Sequence, residues 1–219
     1  MVFVGAMLVP IQEIRVFAMK HFEGARGSHD WDHTERVCNL CGHIGQVEEA
    51  DLGVLEIAAY LHDVGRPYED EAQGGVCHAE KGAEIAQELL AKYDIHDEQK
   101  ANIVHCIRSH RFRGNHGPKT IEARVLFDAD KLDAIGAVGI ARAYLFAGEV
   151  GAKLHNPHVK PEETAPYTQE DTGYREYKLK LSRIRGRMLT TEGRRMAGQR
   201  HAFMEMFFQR FTEEYTGNI

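Results

Sequence analysis

Apolar residues recur three and four apart over most of this chain, the spacing that lays them on one face of a helix. Val37, Leu40, Cys41, Ile44 and Val47 form the first stripe, on a helix entered near Asp30 or Asp32. A second stripe carries Leu52, Leu55, Ile57, Ala58, Ala59 and Leu61. Asp51 is placed to cap that helix, and Gly65, Arg66 and Pro67 end it, so His62 and Asp63 occupy its last turn. Glu69 to Val76 holds acids and a Gly-Gly pair with little apolar periodicity and reads as a surface loop. Further helices are expected from about His78 to Tyr93 and from about Asp97 to His110. His110 falls on the Ile103 and Ile107 stripe of the latter, whereas His105 points the opposite way.

Arg111 to Lys119 is a basic connection with Gly and Pro. Ile121 to Ala147 then reads as one long helix, with Val125, Leu126, Ala129, Leu132 and Ile135 turned inward and Asp128, Asp130 and Asp133 interrupting them. Gly148 to Thr172, with Pro157, Pro161 and Pro166, is irregular. Two helices follow, about Thr172 to Leu189 and Thr191 to Tyr215, the second with Met196, Phe203, Phe207 and Phe211 as a core-facing stripe. With no repeat and no strand, the expectation is an all-α protein forming a single domain over 1–219.

Composition narrows the partners. The 219 residues are 43% hydrophobic and 27% charged, enough apolar material for a folded core. Lys and Arg number 27 against 33 Asp and Glu, for a net charge of -6, which gives no general attraction to a polyanion. No nucleic acid polymer is expected. Met1 to Pro10 is apolar but brief, without a basic lead or a cleavage site, and no stretch reaches the length of a membrane span, so no membrane is expected and the cytoplasm is the expected location. Cys38, Cys41, Cys77 and Cys106 make no disulfide framework; Cys38 and Cys41 lack a second pair to complete a zinc site and read as helix-face thiols. The 13 histidines are the excess that needs an account, since imidazole is the commonest metal ligand.

A metal that activates water needs several N or O ligands on rigid elements and one open position. Four fragments suit that need: Asp32-His33, His62-Asp63, His78, and Asp128-Ala129-Asp130. His29-Asp30 is a further such pair whose expected role is capping at the surface. In their order and context, Ser28 to Val37 (SHDWDHTERV), Leu61 to Gly65 (LHDVG) and Asp128 to Ala134 (DADKLDA) closely resemble the HD phosphohydrolase superfamily. Asp130 to Ala143 and Gly193 to Met204 look like the small uncharacterised bacterial and archaeal HD-domain hydrolases, and the resemblance runs from about Ser28 to Tyr215.

That resemblance implies an HD-domain helical bundle, with a core of about 26–147 and C-terminal helices of about 172–215 packing on it. It makes His33 the first metal ligand, His62 and Asp63 the second and third, and Asp130 the fourth, leaving Asp128 and Asp133 outside that set. His78-Ala79-Glu80-Lys81-Gly82 resembles the segment that binds a second metal in binuclear relatives, with His110 as companion and Asp63 bridging. The cofactor implied is a divalent ion, one per chain or two, and mixed His and carboxylate ligands accept Mn, Fe, Ni, Co, Mg or Zn. The implied reaction is hydrolysis of a phosphoester in a small phosphorylated metabolite or nucleotide by a metal-activated water. Asp63 would help orient that water, Lys81, Arg111, Arg113 or Lys131 would neutralise phosphate, and Asp133 would transfer a proton or orient a ligand. Arg194, Arg195, Arg200 and His201 match the last helix of the relatives and are expected to join it to the rest, while His155 and His158 are expected at the surface. Alternatives are a non-catalytic metal or nucleotide sensor, and a di-iron HD-type oxygenase that would require both His78 and His110. Self-association as a homodimer is compatible with all three.

Overall fold

The computed structural model describes residues 2–4, 7–9, 11–22, 30–111 and 117–219. They form two compact units, Met1–Asp130 and Lys131–Ile219. The all-helical class holds. The expectation of no strand needs one correction: β1 (Val2–Val4) and β2 (Met7–Val9) pair antiparallel as a short hairpin, Val2 opposite Val9.

The first unit continues with α1 (Ile11–Lys20), α2 (Trp31–Val47), α3 (Leu52–Leu61), α4 (Arg66–Glu71), α5 (His78–Leu90), α6 (Asp97–Ser109) and most of α7 (Ile121–Asp133). Helix α3 is its axis, packed against α1, α2 and α6. Eight of its ten residues, Gly53 to Leu61 apart from Glu56, are buried, as expected of a helix that is apolar on every side. Asp51 caps it as the sequence predicts, accepting from the backbone N–H groups of Gly53 at 2.9 Å and Val54 at 3.1 Å. Gln99 of α6 donates to the other Asp51 oxygen at 3.0 Å. Glu122 of α7 accepts from the Asp51 N–H and from Asn102, both at 2.9 Å. One polar knot therefore fixes the starts of α3 and α7 against α6.

Three boundaries differ from the sequence reading. The expected surface loop from Glu69 begins inside α4, because Pro67, which cannot continue α3, suits the first turn of a new helix. Glu69 is accordingly buried, at 8% exposure. The single helix expected over Ile121 to Ala147 is two, since Gly136 takes φ +82° between α7 and α8 (Gly136–Glu149), a conformation that ends regular helix. Helix α9 (Gly173–Leu179) stops at Lys180 and gives way to a 3-10 turn over Leu181–Arg187.

In the second unit α8 packs on α9 and on α10 (Thr191–Tyr215). The buried face of α10 is Ala197, Met204 and Phe208, with Tyr177 stacked on Phe208 at 4.2 Å. The predicted stripe is thus displaced by one position: Phe203 is 39% exposed, and Met196, Phe207 and Phe211 are partly so. Arg194 donates to the carbonyls of Met188 and Leu189, and Arg200 to that of Leu132, so the basic residues tie α10 into its own unit. His155 is buried rather than exposed, edge-on to Tyr174, Phe211 and Tyr215, while His158 is exposed as expected.

Two glycines set how α5 meets the end of α3. A Cβ on Gly65 would lie 2.2 Å from the His78 carbonyl oxygen and 2.6 Å from the Gly82 nitrogen, and a Cβ on Gly82 would touch the His62 carbonyl at 3.4 Å. Backbone meets backbone here, so no rotamer change relieves a clash. Gly65→Ala should lower stability by about 3 kcal/mol, at the upper end of overpacking costs. The urea midpoint with an unchanged slope measures it; an unmoved midpoint would mean that α5 shifts freely.

Candidate metal centre

Helix ends deliver most of the candidate ligands. His33 lies in the first turn of α2, behind Asp30, whose side chain accepts the His33 N–H at 3.2 Å. His62 and Asp63 follow the last residue of α3, and their side chains reach the same cluster, His62 Nε2 lying 3.7 Å from Asp63 Oδ2. His78 opens α5, His110 follows α6, and Asp130 lies near the end of α7. His62 Nδ1 donates to the Ala59 carbonyl at 2.7 Å and His110 Nδ1 to the Ile107 carbonyl at 2.6 Å. Carbonyls of a final helical turn have no partner within the helix, so they are free to take such bonds and fix the ring.

These side chains converge as two groups, His33 with His62 and Asp130, and Asp63 with His78 and His110, the ligand atoms within each lying no more than 4.8 Å apart. Asp63 spans both. Its Oδ2 is 3.8 Å from His33 Nε2 and 3.7 Å from His62 Nε2; its Oδ1 is 3.4 Å from both His78 Nε2 and His110 Nε2. Asp130 Oδ1 lies 3.5 Å from His33 Nε2. The centre is dry except at Asp130, whose side chain is 18% exposed against 1% for Asp63.

The orientation of the rings makes the case for a cation. With Nδ1–H of His62 and of His110 given to carbonyls, and Nδ1–H of His78 to the Glu69 carboxylate, the Nε2 atom of each ring is turned to Asp63. The Nε2 atoms of His78 and His110 lie 3.2 Å apart, and Asp63 Oδ1 stands 3.4 Å from each. Ligand atoms about 2.0–2.2 Å from one divalent ion stand roughly 3.0–3.5 Å from each other, so the donor set and its spacing fit such an ion.

Charge is arranged to the same end. Burial, reinforced by His110 and His33, holds the His62 imidazole down at about 4 although Asp63 pulls the other way. Burial and the Arg66 charge bring His78 to about 4 as well. Burial pushes the Asp63 carboxyl up, but Arg66, His62 and His110 outweigh it and hold it well below the usual carboxylate range. Arg66 donates to Asp63 at 3.3 to 3.5 Å. The His62 and His78 rings are neutral and the Asp63 carboxylate charged at neutral pH, as metal ligands must be.

The other sequence candidates have partners of their own. Lys81 bridges to Glu84 at 3.0 Å and sits over the Tyr68 ring, on the wall of a cavity of about 500 Å³ that none of the six metal-group residues lines. Arg111 is held by Glu69 at 2.7 Å and donates to the Cys77 thiol at 3.3 Å. Lys131 and Asp133 fall in the second unit, where Asp133 is buried and takes a bond of 2.7 Å from Arg142. His105 accepts the Lys119 N–H. His29 and Arg113 lie outside the described residues. Sequence reasoning missed Glu69 and Arg66. Pro67, as a helix-start signal, could have put both on the first turns of a helix beside Asp63.

Comparison with known proteins agrees on the kind of molecule. The HD domain family profile matches residues 30–135. The uncharacterised Bacillus subtilis protein YpgQ is 32% identical over 94% of both chains. Its crystal structure in complex with ADP superimposes with a TM-score of 0.71 over 94% of this chain and 95% of that one, at 30% identity. An HD-superfamily hydrolase of Bacillus thuringiensis gives 0.74 at 27% identity, over 94% and 97% of the two chains. Ribonuclease Y of Chloroflexus aurantiacus is 29% identical over 54% of this chain, which spans only 21% of that protein.

The imidazole shifts carry a stability consequence. Between about 6.5, the ordinary value, and about 4, the unfolded chain binds protons that His62 and His78 refuse in the fold. Stability of the metal-free protein should therefore fall as pH drops through that window and be insensitive to these groups above it. Melting temperatures of chelator-treated protein check this; a flat profile from 6.5 to 4 would contradict the tautomers above.

Proposed function

The chain belongs to the HD domain family, and on that premise we propose that it is a metal-dependent phosphohydrolase acting on a small phosphorylated molecule, a nucleotide in particular. The observation that carries the reading is Asp63, one carboxylate facing two sets of imidazole nitrogens with separate oxygens. His33, His62, Asp63 and Asp130 would hold one divalent ion, and Asp63, His78 and His110 a second. Divalent ions so held would supply Lewis acidity toward a phosphoryl oxygen and would lower the pKa of a water enough to provide hydroxide near neutral pH.

The chain's own part is to bind, orient and exclude. Ala59 and Ile107 lock the His62 and His110 rings through their carbonyls, so the ligand geometry is set before substrate arrives. Asp130 marks the wetter side, the route by which water and substrate would enter. Arg66 and Arg111 border the centre with side chains 24% and 28% exposed. Their planar forks suit phosphate oxygens, and a phosphate would compete for the bonds they now give to Asp63 and Glu69. Lys131 is retained as a further phosphate candidate from its place next to Asp130, and Asp133 as a group steering the end of α7. The ADP held by YpgQ supports a nucleotide over an unrelated phosphoester. The net charge of -6 favours a small substrate over a polymer.

The test is phosphate or pyrophosphate release from nucleoside mono-, di- and triphosphates, a chromogenic phosphomonoester and a single-stranded RNA, with each divalent metal restored to metal-free protein. Turnover of nucleotides should depend on metal and fall about a thousand-fold or more in Asp63→Ala, the equivalent of several kcal/mol of transition-state stabilisation. Undiminished turnover in that variant would sink the hydrolase reading. Nucleotide binding without turnover under every metal would turn the protein into a sensor, and cleavage of RNA alone would move the substrate to a polymer.

A further inference from the structure

Two of the imidazoles lean on carbonyls of their own helices, His62 on Ala59 and His110 on Ile107, because each follows a helix C-terminus. His78 has no such support. It is the first residue of α5, and a helix N-terminus exposes N–H groups rather than carbonyls. Its Nδ1–H must find an acceptor on another element, and the acceptor is the Glu69 carboxylate of α4.

Glu69 is itself built in. It is 8% exposed; Oε2 meets His78, Oε1 takes Arg111 Nη2 at 2.7 Å, and Arg66 Nη1 stands 3.9 Å from Oε2. Arg66 also donates to Asp63, whose Oδ1 returns to His78 Nε2 at 3.4 Å. The contacts close a ring, Asp63 to Arg66 to Glu69 to His78 to Asp63, in which Arg66 and Glu69 have no atom among the metal-facing nitrogens and oxygens, and Glu69 is the member that decides where His78 points.

We propose that Glu69 is the positioning residue of the second metal position: it fixes His78 with Nε2 turned to Asp63 and His110, and its charge makes that ring the better ligand. Arg66 and Arg111 hold the carboxylate in register. The proposal rests on the two-ion reading above and assigns Glu69 no contact with substrate. A carboxylate behind a ligating imidazole typically accounts for 10–100-fold in metal affinity.

Calorimetric titration of metal-free protein with Mn(II), wild type against Glu69→Ala and Glu69→Gln, tests it. Wild type should take up two ions. Glu69→Ala should keep the first affinity within about twofold and lose about 10–100-fold in the second. Its electron paramagnetic resonance spectrum should change from that of a coupled ion pair to that of an isolated ion. Glu69→Gln, which keeps an acceptor oxygen but no charge, should fall between. An unchanged second affinity in Glu69→Ala, with two ions still bound by wild type, overturns this assignment and leaves the two-ion reading standing. Equal weakening of both ions overturns it too, since that marks a general structural role. A single ion in the wild type removes the two-ion reading and the assignment together.

Discussion

A carboxylate at 1% exposure has lost nearly all its water, and it persists as an anion only where other groups replace that water. Asp63 is such a group, and much of the first unit is arranged around it. Arg66 supplies the compensating cation from one turn along, and imidazole nitrogens occupy both oxygens. The donor set has the chemistry and the spacing that a divalent ion takes, and divalent binding would add to fold stability as it fills the site.

The supports of this centre are apolar and steric. Helix α3 can end at a buried polar cluster because its own residues are buried on all sides and are pinned at the far end by Asp51, Gln99 and Glu122. Gly65 and Gly82 let the start of α5 approach the end of α3 closely enough for His78 to share Asp63 with His110. A side chain at Gly65 would force the start of α5 away from the end of α3. The packing rules of the core and the donor spacing of the site are in this sense the same constraint.

Much of this was legible in the sequence. The apolar stripes of α2, α3, α5 and α6 give the helices and their order, and the motifs at His33, His62-Asp63 and Asp128 to Asp130 lie on rigid elements that fold together. What was not legible depends on tertiary context. Gly136 is one of 21 glycines, and only its φ of +82° shows that a continuous apolar pattern is broken there. The α10 stripe was off by one because alternate faces of that helix are both aromatic, and burial by Tyr177 selects Phe208 over Phe207. His155 sits in an irregular segment whose burial comes from Tyr174, Phe211 and Tyr215, contacts without periodic signal. Glu69 was hidden by composition, since an acid in a run of acids reads as surface until its partners are known.

The placement of the histidines follows from the polarity of helices as much as from metal chemistry. Unpaired carbonyls gather at helix C-termini and unpaired N–H groups at N-termini. An imidazole that must present one bare nitrogen needs an acceptor for the other, so a ligand just past a C-terminus, as at His62 and His110, is self-supporting, and one at an N-terminus must borrow an acceptor. Borrowing adds a residue that can be lost or altered without touching the metal-facing set. The group of His33, His62 and Asp130 does not draw on Glu69, whereas the group of Asp63, His78 and His110 does. On the two-ion reading, a chain of this design would have one centre held chiefly by its own helices and a second contingent on the Glu69 carboxylate, so the number of ions bound could change while the fold stays the same.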